Sequence, residues 1–190
     1  MIYFTSDSHY SHSRIIQHCN RPFSSVEEMD EKLIEYWNDV VGKRDTVYHL
    51  GDFAMIPKQK DETPRMKLYR KLRFRLNGRI LLCLGNHDHM SQDVYDCFTE
   101  VFNLKTIKID KQKITLCHYP MRSWDGSYSG KTFHAYGHCH NRLESSNDSP
   151  SCDVGVDVPD WNYRPVEWSV LREKLLKKKE IFLASKGVRV

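Results

Sequence analysis

The sequence predicts a mixed α/β domain, and three observations carry that reading. Short apolar runs recur and each stops at Gly, Asp, Asn or His; between the first three of them apolar residues fall at helical spacing; in the second half the runs shorten and tight turns join them. At 190 residues the chain fits a single domain, 1–190, with a core of its own.

The elements follow in order. Ile2 to Ser6 reads as a strand running into Asp7-Ser8-His9. Ser11 or Ser13 caps a short helix near Arg14 to Cys19, which Asn20-Arg21-Pro22 breaks. Ser25 with Glu28 forms a capping box for a longer helix whose Val26, Met29, Leu33, Tyr36 or Trp37, and Val40 share one face, and Gly42 stops it. Thr46 to Leu50 is a second strand, ending at Gly51-Asp52. Thr63-Pro64 starts a helix to about Leu76 with a stripe of Met66, Tyr69, Leu72 and Leu76, closed by Asn77-Gly78. Ile80 to Leu84, apolar throughout, is a strand buried on both faces that stops at Gly85-Asn86-His87-Asp88. Helices between these three strands make right-handed crossovers and a parallel sheet core.

Beyond residue 100, Lys105 to Asp110 and Lys113 to Cys117 form a hairpin around Lys111-Gln112, with His118 at its end. Ser123 to Gly130 and Ser145 to Ser151 are loops flanking a strand, Thr132 to Tyr136, that stops at Gly137-His138-Cys139-His140. Cys152 to Val158 is the last strand and Ser169 to Glu180 the last helix; Ile181 to Val190, with Ile181, Phe182, Leu183, Val188 and Val190, completes the core or forms a subunit contact.

Five strand ends thus carry Asp7, His9, Asp52, Asn86, His118, His138 and His140, donors that suit hard and borderline divalent metals. In open α/β sheets the ligand crevice lies beyond such carboxyl ends. D-S-H, G-D, G-N-H-D, an isolated His and G-H-C-H, in this order over residues 7 to 140, resemble the calcineurin-like metallophosphoesterases. The blocks C-N-R-P-F (19–23), H-Y-P (118–120) and V-G-V-D (154–157) further resemble a small single-domain bacterial and phage subgroup. The resemblance implies a β-sandwich flanked by helices in αββα layers and a pair of divalent ions, manganese first, with iron, nickel, cobalt and zinc also accommodated. Seven donors serve two four-ligand ions only if one carboxylate bridges them, and the resemblance assigns that bridge to Asp52. It places Asp7, His9, Asp52 and His140 on one ion and Asp52, Asn86, His118 and His138 on the other.

The expected chemistry is hydrolysis of a small phosphoester, a diester ahead of a monoester, by in-line attack of a metal-bridging hydroxide, the ions being about 3.5 to 4 Å apart. His87, left over from the ligand count, is expected to assist the leaving group, with Asp88 orienting it. Arg21, Arg122 and Arg142 are candidates for gripping the phosphate, and His12 for lining the pocket. Trp124, Tyr128 and Trp161 serve either as stacking surfaces or as core and loop anchors, and His134 is structural. Cys139, in the middle of G-H-C-H, is expected to point away from the metals.

Composition sets outer bounds. Mean hydropathy is −0.64 and no apolar run approaches the length of a membrane span, so a cytoplasmic setting without a membrane partner is expected. Six dispersed cysteines predict reduced thiols rather than a disulfide framework. Net charge is only +4, yet residues 65 to 79 hold seven cations and no acid. That run is either a nucleic-acid footprint, which would make the enzyme a nuclease or end-processing enzyme, or a solvated helix face. A scaffold that has lost catalysis is the remaining alternative, against which stand the complete ligand set and His87. Oligomeric state is left open.

Overall fold

The computed structural model describes residues 1–56, 62–143 and 149–187. β1 (Ile2–Thr5), β2 (Thr46–His49), β3 (Arg79–Cys83) and β4 (Glu100–Phe102) pair in parallel in that order, and β9 (Val166–Glu167) lies antiparallel on the other side of β1. A second sheet has the order β5 (Leu104–Ile109), β6 (Gln112–Cys117), β7 (Thr132–Tyr136), β8 (Ser151–Asp153), antiparallel at β5–β6 and parallel beyond. The parallel register aligns Thr5 with His49 and His49 with Leu82, so the segments carrying Asp7, Asp52 and Asn86 leave the first sheet side by side.

Alternation along the strands splits the core in two. Tyr3, Val47, Ile80 and Leu82 face the helices α1 (Ser13–His18), α2 (Val26–Val40), α3 (Glu62–Arg75) and α4 (Gln92–Tyr95). Phe4, Leu50 and Cys83 face the second sheet, where Ile114, Leu116, Phe133 and Ala135 meet them together with Trp168, Leu171 and Leu175 of α5 (Trp168–Ser185). Two mixed sheets flanked by helices result, as the sequence predicts. α2 buries Met29, Leu33, Ile34 and Trp37, each contributing about 1.5–3 kcal/mol.

Local chemistry explains the departures. The Ser25 hydroxyl accepts the Glu28 amide, but the Glu28 carboxylate reaches Ser24 rather than Ser25, so the capping box is offset by one residue. α1 is capped by neither serine: His12 occupies the cap position, Ser13 is the first helical residue and Ser11 donates to Asp30. α3 begins at Glu62, which puts Thr63 inside its first turn, and it buries Arg65 and Arg73 beside Tyr69 and Leu72. The hairpin turns on Asp110-Lys111, both left-handed, one residue earlier than expected, giving a two-residue loop that matches strand twist. The strand expected over Cys152 to Val158 is β8, which ends at Asp153, after which Gly155 bridges to Ser6. α5 continues through Ser185 and buries Phe182 in the core, while Ile181 stays exposed; Val188 and Val190 lie outside the described residues, as do 145–148 of the expected loop. β4, β9 and α4 have no counterpart in the sequence reading. All six cysteines are unpaired, and no described helix is long and apolar enough to cross a membrane.

Candidate metal centre

The seven donors converge at the strand ends, and five of them are delivered by backbone that most residues avoid. Asp7, His9, Asp52, His138 and His140 have φ of 57°, 50°, 53°, 70° and 48°, a region that Asp, Asn and His enter more readily than other L residues. Each such position carries about 1–3 kcal/mol of strain. The turns also need missing side chains: a Cβ on Gly85 would lie 2.3 Å from the Asp52 carboxylate, and one on Gly137 would lie 2.4 Å from that of Asp7.

Six of the seven fall into two groups, Asp7–His9–His140 and Asp52–His118–His138, the donor atoms of each within 4.8 Å of one another. Asp52 Oδ2 stands between them, 3.4 Å from His9 Nε2 and 3.6 Å from His118 Nε2. His118 Nδ1–H donates to Leu50 O at 2.8 Å, which leaves Nε2 a bare lone pair facing Asn86 Oδ1 at 3.1 Å. Burial pushes the His118 imidazole below its ordinary pKa, so a second ring proton does not relieve that contact. His9 Nδ1 sits 3.3 Å from His12 Nδ1, while its buried Nε2 has no hydrogen-bond partner among the described residues. Burial drives His9 toward the neutral form too, reinforced by the charges of His140 and Arg21. At His118 a bare nitrogen lone pair therefore faces an amide oxygen with no proton between them, a conflict that a divalent cation resolves, and the donor set fits such ions.

Charge balance points the same way. Burial pushes the Asp7 carboxyl well above the usual carboxylate range, and its two oxygens accept the His138 amide at 2.9 and 3.1 Å. A cation beside Asp7 offsets that desolvation.

His140 has a support that the sequence reading missed. Its Nδ1–H donates to Asp157 Oδ2 at 2.6 Å, and Asp157 in turn receives Nε and Nη2 of Arg21, both at 2.8 Å. Burial opposes charge on His140, but Asp157, Cys19 and Asp7 outweigh it and push its pKa up to about 10. Arg21 also donates to Ser8 O and Asp7 O, and its side chain is wholly buried. Arg21 is accordingly not available to a phosphate: every donor it has near the site is taken by the turn and by Asp157. The available signal was the pairing of the C-N-R-P-F and V-G-V-D blocks, whose cation and acid meet here.

Asp88 likewise does not orient His87. Its carboxylate accepts the amides of Asp52 at 2.7 Å, Phe53 at 2.9 Å and Gly85 at 2.8 Å, tying the two strand ends together. Burial pushes it up to about 7 against those donors. His87 is held instead through its amide, which donates to Asp52 Oδ1 at 2.9 Å, and its ring is about one-third exposed with Nε2 4.0 Å from Asp52 Oδ2.

A cleft of about 440 Å³ opens onto His9, Asp52, Asn86, His138 and His140, and is lined also by His12, His87, Arg142 and Arg14, the last of which the sequence reading passed over. The Arg142 guanidinium donates to His18 O. Arg122 is exposed and does not line this cleft. Trp124 donates to Thr132 O and packs on His134, Trp161 is buried, and Lys186 covers the exposed Tyr128 ring. His134 bonds to Thr115 O and Met121 N, a structural role. Cys139 belongs to neither donor group.

The run of cations from residue 65 is largely engaged. Arg65 pairs with Glu62, Arg70 with Asp93 and Arg75 with Glu31, and Arg73 donates to Leu76 O and Gly78 O.

An uncharacterized protein of Methanocaldococcus jannaschii is 37% identical over 183 residues, covering 95% of this chain and 93% of that one. The Gene 66 protein of Mycobacterium phage L5 is 38% identical over 86 residues, 45% of this chain and 39% of the phage protein. A crystal structure of a protein of unknown function from Aquifex aeolicus superposes with a TM-score of 0.67 at 24% identity, covering 91% of this chain and 98% of that one, and it shares the fold. The calcineurin-like phosphoesterase superfamily domain matches residues 1–153, the stretch that contains all seven donors, and the chain belongs to that superfamily.

Proposed function

We propose that this protein hydrolyses small phosphoesters, diesters ahead of monoesters, at a binuclear centre held by Asp7, His9, Asp52 and His140 on one side and Asp52, Asn86, His118 and His138 on the other. The observation that carries the reading is the position of Asp52 Oδ2, 3.4 and 3.6 Å from one imidazole of each group, where a single carboxylate serves both. Bound there, two divalent ions supply Lewis acidity at the phosphoryl oxygens and a nucleophile at neutral pH.

The chain does the rest. The Leu50 carbonyl and the Asp157 carboxylate fix the ring protons of His118 and His140 at Nδ1 and aim each Nε2 inward. The His87 imidazolium gives its proton to the departing oxygen, a contribution of about 10² to 10⁴ in rate. Arg142 and Arg14 at the cleft wall offer cationic contacts to the ester. The cleft, about 440 Å³, is larger than a bare phosphate requires, which supports a substrate with organic substituents.

The test is the initial rate on bis(p-nitrophenyl) phosphate against p-nitrophenyl phosphate with chelator-stripped protein and manganese restored. Recovery of the rate with metal, greater on the diester, is expected, and so is only a shallow dependence on salt. No turnover of either compound with manganese, nickel, cobalt or zinc overturns the proposal. A rate on DNA that collapses between low and moderate salt indicates a nucleic-acid substrate instead.

A further inference from the structure

A second cavity of about 440 Å³ adjoins the metal-site cleft, and the two share His12, Arg14, Met55 and His87 as a common threshold. Met55, Ile56 and Tyr69 give it apolar lining, and the exposed Ser13 and His89 line it as well. Arg65 also lines it, but that guanidinium already pairs with Glu62 at 2.6 Å and donates to Ile56 O and His89 O. The cavity is thus poorly suited to a second anion. Of the two arginines that line it, Arg14 has no hydrogen bond or ion pair among the described residues, and it lines both cavities.

We propose that this cavity is the leaving-group subsite and that it takes a nucleoside-sized alcohol bearing a flat heteroaromatic ring. The proposal rests on the phosphoesterase reading above, because in-line displacement sends the departing oxygen away from the attacking one. His87 lines both the donor cleft and this cavity, so an alcohol that takes the His87 proton departs at the threshold of this cavity. In that step the water oxygen bonds to phosphorus and its proton goes to solvent. The bond from phosphorus to the alcohol oxygen breaks, and that oxygen keeps the electron pair and takes the proton from His87.

The chemistry of the walls favours a planar guest. The His12 and His87 rings, with centroids 6.3 Å apart and planes 51° to each other, the free Arg14 guanidinium and the Met55 thioether are all groups that stack on heteroaromatic faces. A cavity of this size suits such a ring with its attached sugar and is far larger than a methyl or ethyl group needs.

The test uses the full chain and two probes, adenosine and inorganic phosphate, followed by calorimetry. Adenosine should bind the wild type with or without manganese, since the subsite is built from protein alone. Ser13→Trp and His89→Trp, two independent lining substitutions outside the metal site, should each weaken adenosine by about tenfold or more. Phosphate binding to the manganese-loaded protein should stay unchanged in both. Failure of adenosine to bind the wild type, or equal binding by both Trp variants, overturns the subsite while phosphate binding leaves the phosphoesterase reading standing. If adenosine binds and phosphate does not bind the manganese-loaded wild type, the phosphoesterase reading fails and the leaving-group role falls with it.

Discussion

Replacing Asp157 by Asn separates what the acid does for His140 from what it does for Arg21. The wild-type carboxylate accepts three charged or polarised N–H groups, at 2.8, 2.8 and 2.6 Å, with both ion-pair side chains nearly fully buried. Asn keeps one acceptor and turns an NH₂ toward groups that are all donors. Removing one partner of a buried pair costs about 3–5 kcal/mol, and Asn's remaining oxygen puts the expectation near the lower end. At roughly 2–4 °C per kcal/mol for a chain of this length, the metal-free protein should melt about 6–12 °C lower. Loss of the outer partner of a metal-ligating His weakens metal by about 10–100-fold. Calorimetric titration of manganese into chelator-stripped protein reads the second effect and thermal melting the first. The double variant Arg21→Met/Asp157→Asn removes the uncompensated cation as well, so it should regain part of the melting temperature without regaining metal affinity. Although burial opposes ionisation of Asp157, His140 and Arg21 hold its carboxyl below the usual range. Its stabilising contribution is therefore full above about pH 4 and is lost as pH falls through the lowered value. If Asp157→Asn lowers the melting temperature but leaves metal affinity within about twofold, the pair is structural only and its role in aiming His140 is wrong.

Three further outcomes are expected. His87→Ala should retain metal but lose about 10² to 10⁴ in rate; loss of metal, measured by elemental analysis, would make His87 a ligand. Asp52→Asn should abolish activity and lower the occupancy of both metals, and full retention of either metal would contradict a shared carboxylate. His49 is pushed down to about 3, by burial first and by the charge of His118 second. The unfolded chain binds that proton below about pH 6.5 and the folded one does not, so stability falls on acidification by up to about 1.4 kcal/mol per pH unit. His49→Gln should flatten that slope in denaturant titrations, and an unchanged slope would show that His49 is not its source.

The site was legible wherever chemistry is local to one strand end. Asp7, His9, Asp52, Asn86, His118, His138 and His140 each follow an apolar run that stops abruptly, and parallel register brings those stops together. What escaped depends on partners distant in sequence. Arg21 and Asp157 are 136 residues apart, so nothing near Arg21 announces that it will be consumed by a buried carboxylate. Asp88 sits beside His87 in the chain yet bonds to amides across the cleft at Asp52 and Phe53. β4 and β9, of three and two residues, are too short to display a period, and they exist because a neighbouring strand offers them partners. The hairpin turn slipped by one residue because Lys111, at φ 68°, follows Asp110 into a left-handed conformation that a lysine side chain does not favour.

The left-handed backbone at Asp7, His9, Asp52, His138 and His140 restricts the alphabet from which this centre can be rebuilt. Asp, Asn and His combine a short donor arm with tolerance of positive φ, whereas Glu, Cys and Tyr bring a usable donor but no such tolerance. An engineer seeking a softer, thiolate-rich metal site here meets a conformational barrier before any question of affinity arises. At Asn86 and His118, whose φ is not positive, that barrier is absent. Exchange of one metal for another should therefore be more accessible on the side of the proposed centre that those two residues would hold than on the other.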